Sequence, residues 1–421
     1  MSDGAVDLKA EARAKAYSMP LEQINPVDPE LFLTDTHWPY FERLRKEDPV
    51  HYCADGHEDG PYWSVTKFND IMAVDTNHDV FSSEPAITIF DPEEDFTLPM
   101  FIAMDQPKHD VQRKTVSPIV SPHNLAELEP LIRSRIQKTL DSLPIGTPFD
   151  WVDKVSIELT TQMLATLFDF PFEDRRKLTF WSDIATADPT SKLFKTEDPD
   201  TERKMYLFEC VDYFSRLWEE RVNAPPRGDL ISMLAHGEST KNMDRMEYLG
   251  NLILLIVGGN DTTRNTMSGS VYALNQNPAE FAKLRANPDL IPSMVSETIR
   301  WQTPLAYMRR TAKQDVELGG KTIKKGEKVL MWYVSGNRDE EVIDNPNAYI
   351  IDRERPRHHM SFGFGIHRCV GNRLAELQLR ILWEEILVRF PEIKVVEEPV
   401  RVKSSFVKGY EQMMVVIPSK L

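Results

Sequence analysis

Ser361–Gly371, SFGFGIHRCVG, gathers three glycines, two phenylalanines, a histidine, an arginine and one cysteine into a single short run. Gly363 and Gly365 permit a tight backbone turn. Val370, Leu374, Leu377 and Ile381 then recur at three-four spacing, so a helix begins beside Cys369. A thiol at a helix start meets unpaired amides and the positive end of the helix dipole, which lower its pKa and favour the thiolate that a metal or a substrate would meet. Read alone, the stretch fits a metal ligand, such as a proximal iron ligand, and a structural cysteine in a glycine-rich turn equally well.

The rest of the chain narrows the choice. Its 421 residues carry a formal charge of −16, with 41% hydrophobic and 28% charged residues, as in a soluble globular protein. Such acidity argues against a nucleic-acid partner, since phosphate contacts need clustered Lys and Arg. The N-terminal MSDGAVDLKAEARAKAYSMP has no apolar core, so neither a secretory signal nor a membrane anchor is expected, and the cytoplasm is the expected location. The longest apolar run, Leu252–Val257, is far short of the ~20 residues a bilayer requires. Cys53, Cys210 and Cys369 have spacing that suits neither a disulfide framework nor a zinc site, which points to a reducing compartment.

Periodicity places a short helix and a strand in WPYFERLRKEDPVHYC, then strand followed by helix in YWSVTKFNDIMAVDTN. Helical period dominates from about Asp105 to Ile299. Strands return in DVELGGKTIKKGEKVLMWYV, a last helix runs from Gly371 to Phe390, and FVKGYEQMMVVIP reads as a closing strand pair. The expected organisation is a polar N-terminal tail over 1–30 and one domain over 31–421, mainly α with a small β lobe. Residues 84–105 hold three prolines and apolar side chains without a steady period, the pattern of a long functional loop over something apolar.

Two further elements carry chemistry. In LLIVGGNDTTRNT, Gly258 and Gly259 interrupt an apolar helix at roughly 1 kcal/mol each against alanine. If a flat cofactor lies on this helix, the glycines let its backbone approach, and the Thr262 hydroxyl can bond back to the Gly258 carbonyl. Asp261 and Thr262 then form an acid and an alcohol side by side, a route for protons. The competing reading is a helix end at GlyGly with Asp261 as a new N-cap. In ETIR, Glu297 and Arg300 stand three apart on one helical face and can pair, as solvated surface ions commonly do.

Phe362, Gly365, Cys369 and Gly371 fit the haem-binding signature of cytochrome P-450 position by position, and the chain resembles that family from about Trp38 onward. GNRDEEVIDNPNAYIIDRERPRHHMSFG resembles the family's approach to the haem loop, with Asn337, Arg338, Asp339, Pro346, Asp352 and Arg353 in register. The resemblance implies the cytochrome P-450 fold, haem b (iron protoporphyrin IX) with Cys369 as iron ligand, and a thiolate push that favours O–O cleavage. It makes GlyGlyAsnAspThrThr the oxygen-activation groove and Glu297–Arg300 a buried structural pair. His109, Arg113, Arg310 and His367 become candidate haem-propionate partners, with His359 bracing the loop. Ile102, Leu254, Val257, Leu305, Met308 and Phe406 become candidate substrate contacts, none charged.

By the same resemblance, electrons come from a ferredoxin and its reductase, with Arg113, Lys114, Arg368 and Arg373 as a docking patch on a monomer. VGGNDTTRNTMSGS and HHMSFGFGIHRCVGNRLAE are similar to the bacterial subfamily that hydroxylates the terminal carbon of medium-chain alkanes and fatty acids. Oxidation of a terpenoid or other cyclic hydrocarbon is the alternative substrate class. A haem-thiolate gas sensor would need neither Asp261 nor Thr262. A cysteine hydrolase would need a base other than His367, which sits too close in sequence to Cys369.

Overall fold

The computed structural model describes residues 7–54, 56 and 60–421. A helix over Arg245–Gln276 runs through the middle of the molecule, N-capped by the Asp244 side chain, which accepts from the Met246 and Glu247 amides. It is one continuous helix, so the reading in which it ends at GlyGly is excluded. The helices Glu158–Phe168, Arg176–Thr186 and Ile291–Gln302 pack against it, and the helix Asn372–Leu387 lies across the Ile291–Gln302 helix and the helix Pro122–Asp141. One large apolar cluster joins them, with Trp151, Trp181, Phe168 and Phe214 fully buried. A core of that size makes stability a property of many contacts, each buried side chain contributing about 1.5–3 kcal/mol.

The β lobe is a five-stranded sheet in the order Val50–Cys53, Tyr62–Val65, Lys328–Met331, Met308–Ala312, Phe81–Ser82. Only the Tyr62–Val65 and Lys328–Met331 pair is parallel; the other neighbours are antiparallel. Its centre, Lys328–Met331, is buried throughout, and Arg310 leaves the neighbouring strand toward the helical side.

Two expectations need correction. Residues 1–30 are not a tail over the part described. Leu8–Ser18 forms a helix whose Ala12 and Ala16, one turn apart, are buried against Tyr40 and Leu44, while Arg43 donates to the Ala16 and Met19 carbonyls at 2.7 Å. Ile24 and Val27 are buried too. Small alanines let the two helices approach closely, so a polar composition conceals a contact face. The closing strands Tyr410–Gln412 and Met414–Val416 do not pair with each other. The first pairs with Val400–Arg401 and the second with Phe149–Asp150 and Lys394–Val395, because Met413 between them turns inward and is fully buried.

The 84–105 segment lies across the long helix as a loop with a short helical turn at Phe101–Ala103. The Phe101 amide donates to Asn251 Oδ1 at 3.0 Å, and Gly250 lies under Pro99, where a side chain would collide with the Pro99 carbonyl. No helix among the described residues is long and apolar enough to cross a membrane.

Candidate functional site

Between the long helix, the Cys369 loop, the 84–105 loop and the β lobe lies a cavity of about 540 Å³. Its walls include Cys369, Thr262, Gly258, Gly259, His109, Arg113, Arg310 and His367, and also Ile102, Leu254, Val257, Leu305, Met308 and Phe406. Every residue singled out in the sequence for cofactor or substrate contact therefore borders one space. Asp261 does not.

The Cys369 loop owes its shape to two left-handed glycines. Gly363 and Gly365 both have φ of +64°, and a Cβ at Gly365 would lie 2.7 Å from the Asp75 carbonyl oxygen. The Cys369 amide donates to the Phe362 carbonyl at 2.8 Å, which closes the turn and aims the sulfur at the cavity. Burial pushes the Cys369 thiol above its ordinary range, although the amides of Gly371 and Asn372 and the charges of Arg113 and Arg368 pull it down. Desolvation of the charged form thus works against the helix start, whose amides favour the thiolate. A coordinated metal ion deprotonates such a thiol outright.

The polar end of the cavity suits a cofactor bearing carboxylates. His109 and His367 lie with ring centroids 4.1 Å apart, and His109 Nε2 and both ring nitrogens of His367 are buried with no hydrogen-bond partner. Burial holds His109 below its usual value; burial, with Arg310 as the largest charge, takes His367 down to about 2. A neutral His367 imidazole beside Arg113 and Arg310 can donate to a propionate without adding charge, whereas His109 Nδ1 already donates to Asp110 at 2.7 Å, so its free Nε2 donates only when the ring is protonated. Gly258 has nothing within 4 Å of where its Cβ would stand, so this helix face is open to a flat ring. The residues present fit haem. His359 accepts from the Ser361 amide at 3.3 Å, bracing the loop as expected.

Gly259 answers to another constraint. A Cβ there would meet Leu164 at 2.7 Å, so this glycine also permits close packing of the helix Glu158–Phe168. Thr262 Oγ1 donates to the Gly258 carbonyl at 2.9 Å, as its position suggested, and remains on the cavity side. Asp261 turns away. Its Oδ1 accepts from Arg264 at 2.9 Å, Asn260 at 2.8 Å and Ser182 at 3.0 Å, and its Oδ2 accepts from Thr186 at 3.3 Å. Adjacent helical residues point about 100° apart, and here the alcohol faces the cavity while the acid lies behind its wall. Thr186 borders the cavity and touches Asp261, which makes it the link that sequence reading missed. Arg264 also pairs with Asp183 at 2.8 Å, and burial, offset by Arg264 but reinforced by Asp261, raises Asp183 to about 6.

Glu297 and Arg300 are no surface pair. Both are buried, joined by bonds of 2.7 and 2.8 Å, and Arg353 adds a third arm at 2.9 Å. Arg300 also donates to the carbonyls of Asn337, Pro346 and Ala348, which pins the segment leading to the Cys369 loop. Of the cationic patch, Lys114, Arg368 and Arg373 are exposed, whereas Arg113 is half-buried in the cavity wall and donates to the Arg368 carbonyl.

Residues 40–417 match the family model for cytochrome P450. The chain is 32% identical to linalool 8-monooxygenase of Pseudomonas putida over 412 residues, covering 95% of this chain and 100% of that protein. It is 31% identical to the methyl-branched lipid omega-hydroxylase of Mycobacterium tuberculosis over 399 residues, 89% of this chain and 90% of that one. The structure superposes on cytochrome P450-153 from Novosphingobium aromaticivorans with a TM-score of 0.86 at 48% identity, covering 94% and 99% of the two chains. With the thiol, the glycine face and the orphaned imidazoles disposed around one cavity, the chain belongs to the cytochrome P450 family of haem-thiolate monooxygenases.

Proposed function

We propose that the protein inserts one oxygen atom of O2 into the terminal C–H bond of a medium-chain alkane or fatty acid, using haem b and electrons from a ferredoxin and its reductase. One observation carries this reading. Outside the cofactor end, the cavity wall is apolar along Leu254, Val257, Leu305, Met308, Ile102 and Phe406, and its charged members, such as Glu93, Asp200 and Lys204, reach the surface. Such a space accepts a hydrocarbon end-first and leaves a polar head for the rim. A lipid omega-hydroxylase among the relatives supports the same direction.

Bound haem supplies dioxygen binding and a thiolate push toward O–O cleavage. The chain's own part is to exclude water with apolar walls, to hold the chain terminus in place and to manage protons. Positioning is the demanding task, since a terminal C–H bond is stronger than its internal neighbours and only geometry selects it. One methylene more or less is worth about 1–3 kcal/mol, so a series of chain lengths is the expected substrate range. Thr262 presents its hydroxyl to the cavity beside the Gly258 carbonyl, and Asp261 holds Thr186 from behind the wall.

The similarity to linalool 8-monooxygenase favours a second reading, oxidation of a terpenoid. Titration of the ferric protein with octane, octanoate to hexadecanoate and linalool, followed by product analysis with a surrogate ferredoxin system, separates the two. Primary alcohols from the linear chains are expected. Exclusive oxidation of linalool, with no terminal product from any linear chain, overturns the proposal.

A further inference from the structure

Behind the polar end of the cavity stands a carboxyl group that none of the steps above uses. Asp75, near the end of the helix Phe68–Thr76, has a side chain 1% exposed. Its Oδ1 accepts from Arg310 Nη2 at 2.8 Å. Its Oδ2 accepts from the Tyr333 hydroxyl at 2.9 Å and from the Phe364 amide at 2.8 Å. A Cβ at Gly363 would stand 3.1 Å from that same Oδ2. Arg310, Tyr333 and Gly363 border the cavity; Asp75 lies one side chain deeper.

This arrangement fixes a guanidinium. Arg310 Nη1 donates to the Arg309 carbonyl at 2.9 Å while Nη2 is held by Asp75, and two anchors on different nitrogens set the plane of a rigid fork. Arg310 is only 3% exposed, so it has no water to compensate a misaligned charge. Among the described residues, His109, His367 and Arg113 make no hydrogen bond or ion pair with Asp75, and it is Arg310 that the carboxylate holds. Because Phe364 belongs to the loop that carries Cys369, one carboxylate ties the orientation of a cation to the loop of the iron ligand.

We propose that Asp75 is a positioning residue for the cofactor, holding Arg310 in the orientation that receives a haem propionate. The inference rests on the haem reading of the site and is independent of the substrate. It makes Asp75 part of cofactor retention although it touches no cofactor atom.

Asp75→Asn is the test, because the amide keeps an oxygen for Tyr333 and Phe364 and removes both the charge and the acceptor that hold Arg310. Haem transfer from ferric holoprotein to excess apomyoglobin is followed for the wild type, D75N, R310Q and the double variant, with the midpoint potential and the reduced carbon monoxide spectrum recorded for each. The expected result is transfer about tenfold faster in D75N, a retained thiolate band, and no further acceleration when D75N is added to R310Q, a coupling of about 1.4 kcal/mol. The midpoint potential of D75N rises, since a buried negative charge that favoured ferric iron has gone and Arg310 is uncompensated. Wild-type transfer and potential in D75N overturn the proposal. So do effects that simply multiply in the double variant, or loss of the thiolate band in D75N, which would make Asp75 a brace of the loop alone. If the R310Q background yields no holoprotein, R310K takes its place and the same non-additivity is required.

Discussion

Two acid–arginine pairs with identical spacing, Glu297 with Arg300 and Asp261 with Arg264, sit in the same protein and behave as opposites. Arg300 has every N–H engaged, to both oxygens of Glu297 and to three carbonyls, and Glu297 takes the Ile350 amide and Arg353 besides. Arg264 keeps a buried Nε with no partner, shares itself between Asp261 and Asp183, and reaches through Asp183 a side chain that is 28% exposed. A saturated network has one arrangement and makes structure. An unsaturated one with a member near water can rearrange and carry a proton. Local spacing specifies the pair, and what surrounds it specifies the use.

The largest effect expected from breaking the comparison falls on the saturated side. Glu297→Gln strands the buried Arg300, and the part-buried Arg353 beside it, without their counter-charge, a loss of about 3–5 kcal/mol, against a total stability that is typically only 5–15. Denaturant unfolding should show the shift, with little holoprotein recovered. Asp261→Asn should unfold near the wild-type midpoint because Arg264 keeps Asp183, while turnover falls about a hundredfold through lost proton delivery, read as product formed per minute under saturating ferredoxin. Thr262→Ala should act more mildly on rate and mainly on coupling, with a several-fold lower ratio of product to electrons consumed. If electron use and product fall together, Thr262 is a wall residue and no more.

The smallest and sharpest effect is on pH. Asp183 is raised to about 6, by burial and by Asp261 and Glu411 against the pull of Arg264. A carboxyl whose native pKa exceeds its unfolded value contributes stability fully below the unfolded value, near 4, and loses that contribution as pH rises through about 6. The same titration empties the donor at the solvent end of the network, so turnover should decline through that window, and Asp183→Asn should flatten both profiles. A wild-type rate profile with no inflection near pH 6 would separate Asp183 from the proton route.

What the sequence made legible was local. The Gly363, Gly365, Cys369 turn, the glycines of the long helix and the i, i+3 pair are short-range patterns with fixed geometric meaning, but spacing did not show that Glu297–Arg300 is buried or that the helix continues through GlyGly. Asp75 was invisible because its partner Arg310 lies 235 residues away and no local regularity marks either one. Thr186 and Asp183 were missed for the same reason: the packing of two helices brings Thr186 to Asp261 and Asp183 to Arg264. Asp261 and Thr262 are neighbours in sequence with different neighbours in space: Thr262 faces the cavity, and Asp261 faces Arg264, Ser182 and Thr186 behind its wall, which the sequence alone does not show. The N-terminal segment was misread because composition says nothing about which few residues, here Ala12 and Ala16, form a contact.

Gly258 and Gly259 stand side by side, yet evolution can treat them differently. At 259 any side chain collides with Leu164, and the helix packing holds the position. At 258 a methyl group would touch nothing in the protein and would gain roughly 1 kcal/mol of helix propensity. The chain thus forgoes an easy stabilisation at the very point where its helix borders the reactive space. Position 258 is a dial on catalytic volume that can be turned without unsettling the fold, and the first place where a lineage of such enzymes could drift toward robustness at the expense of chemistry.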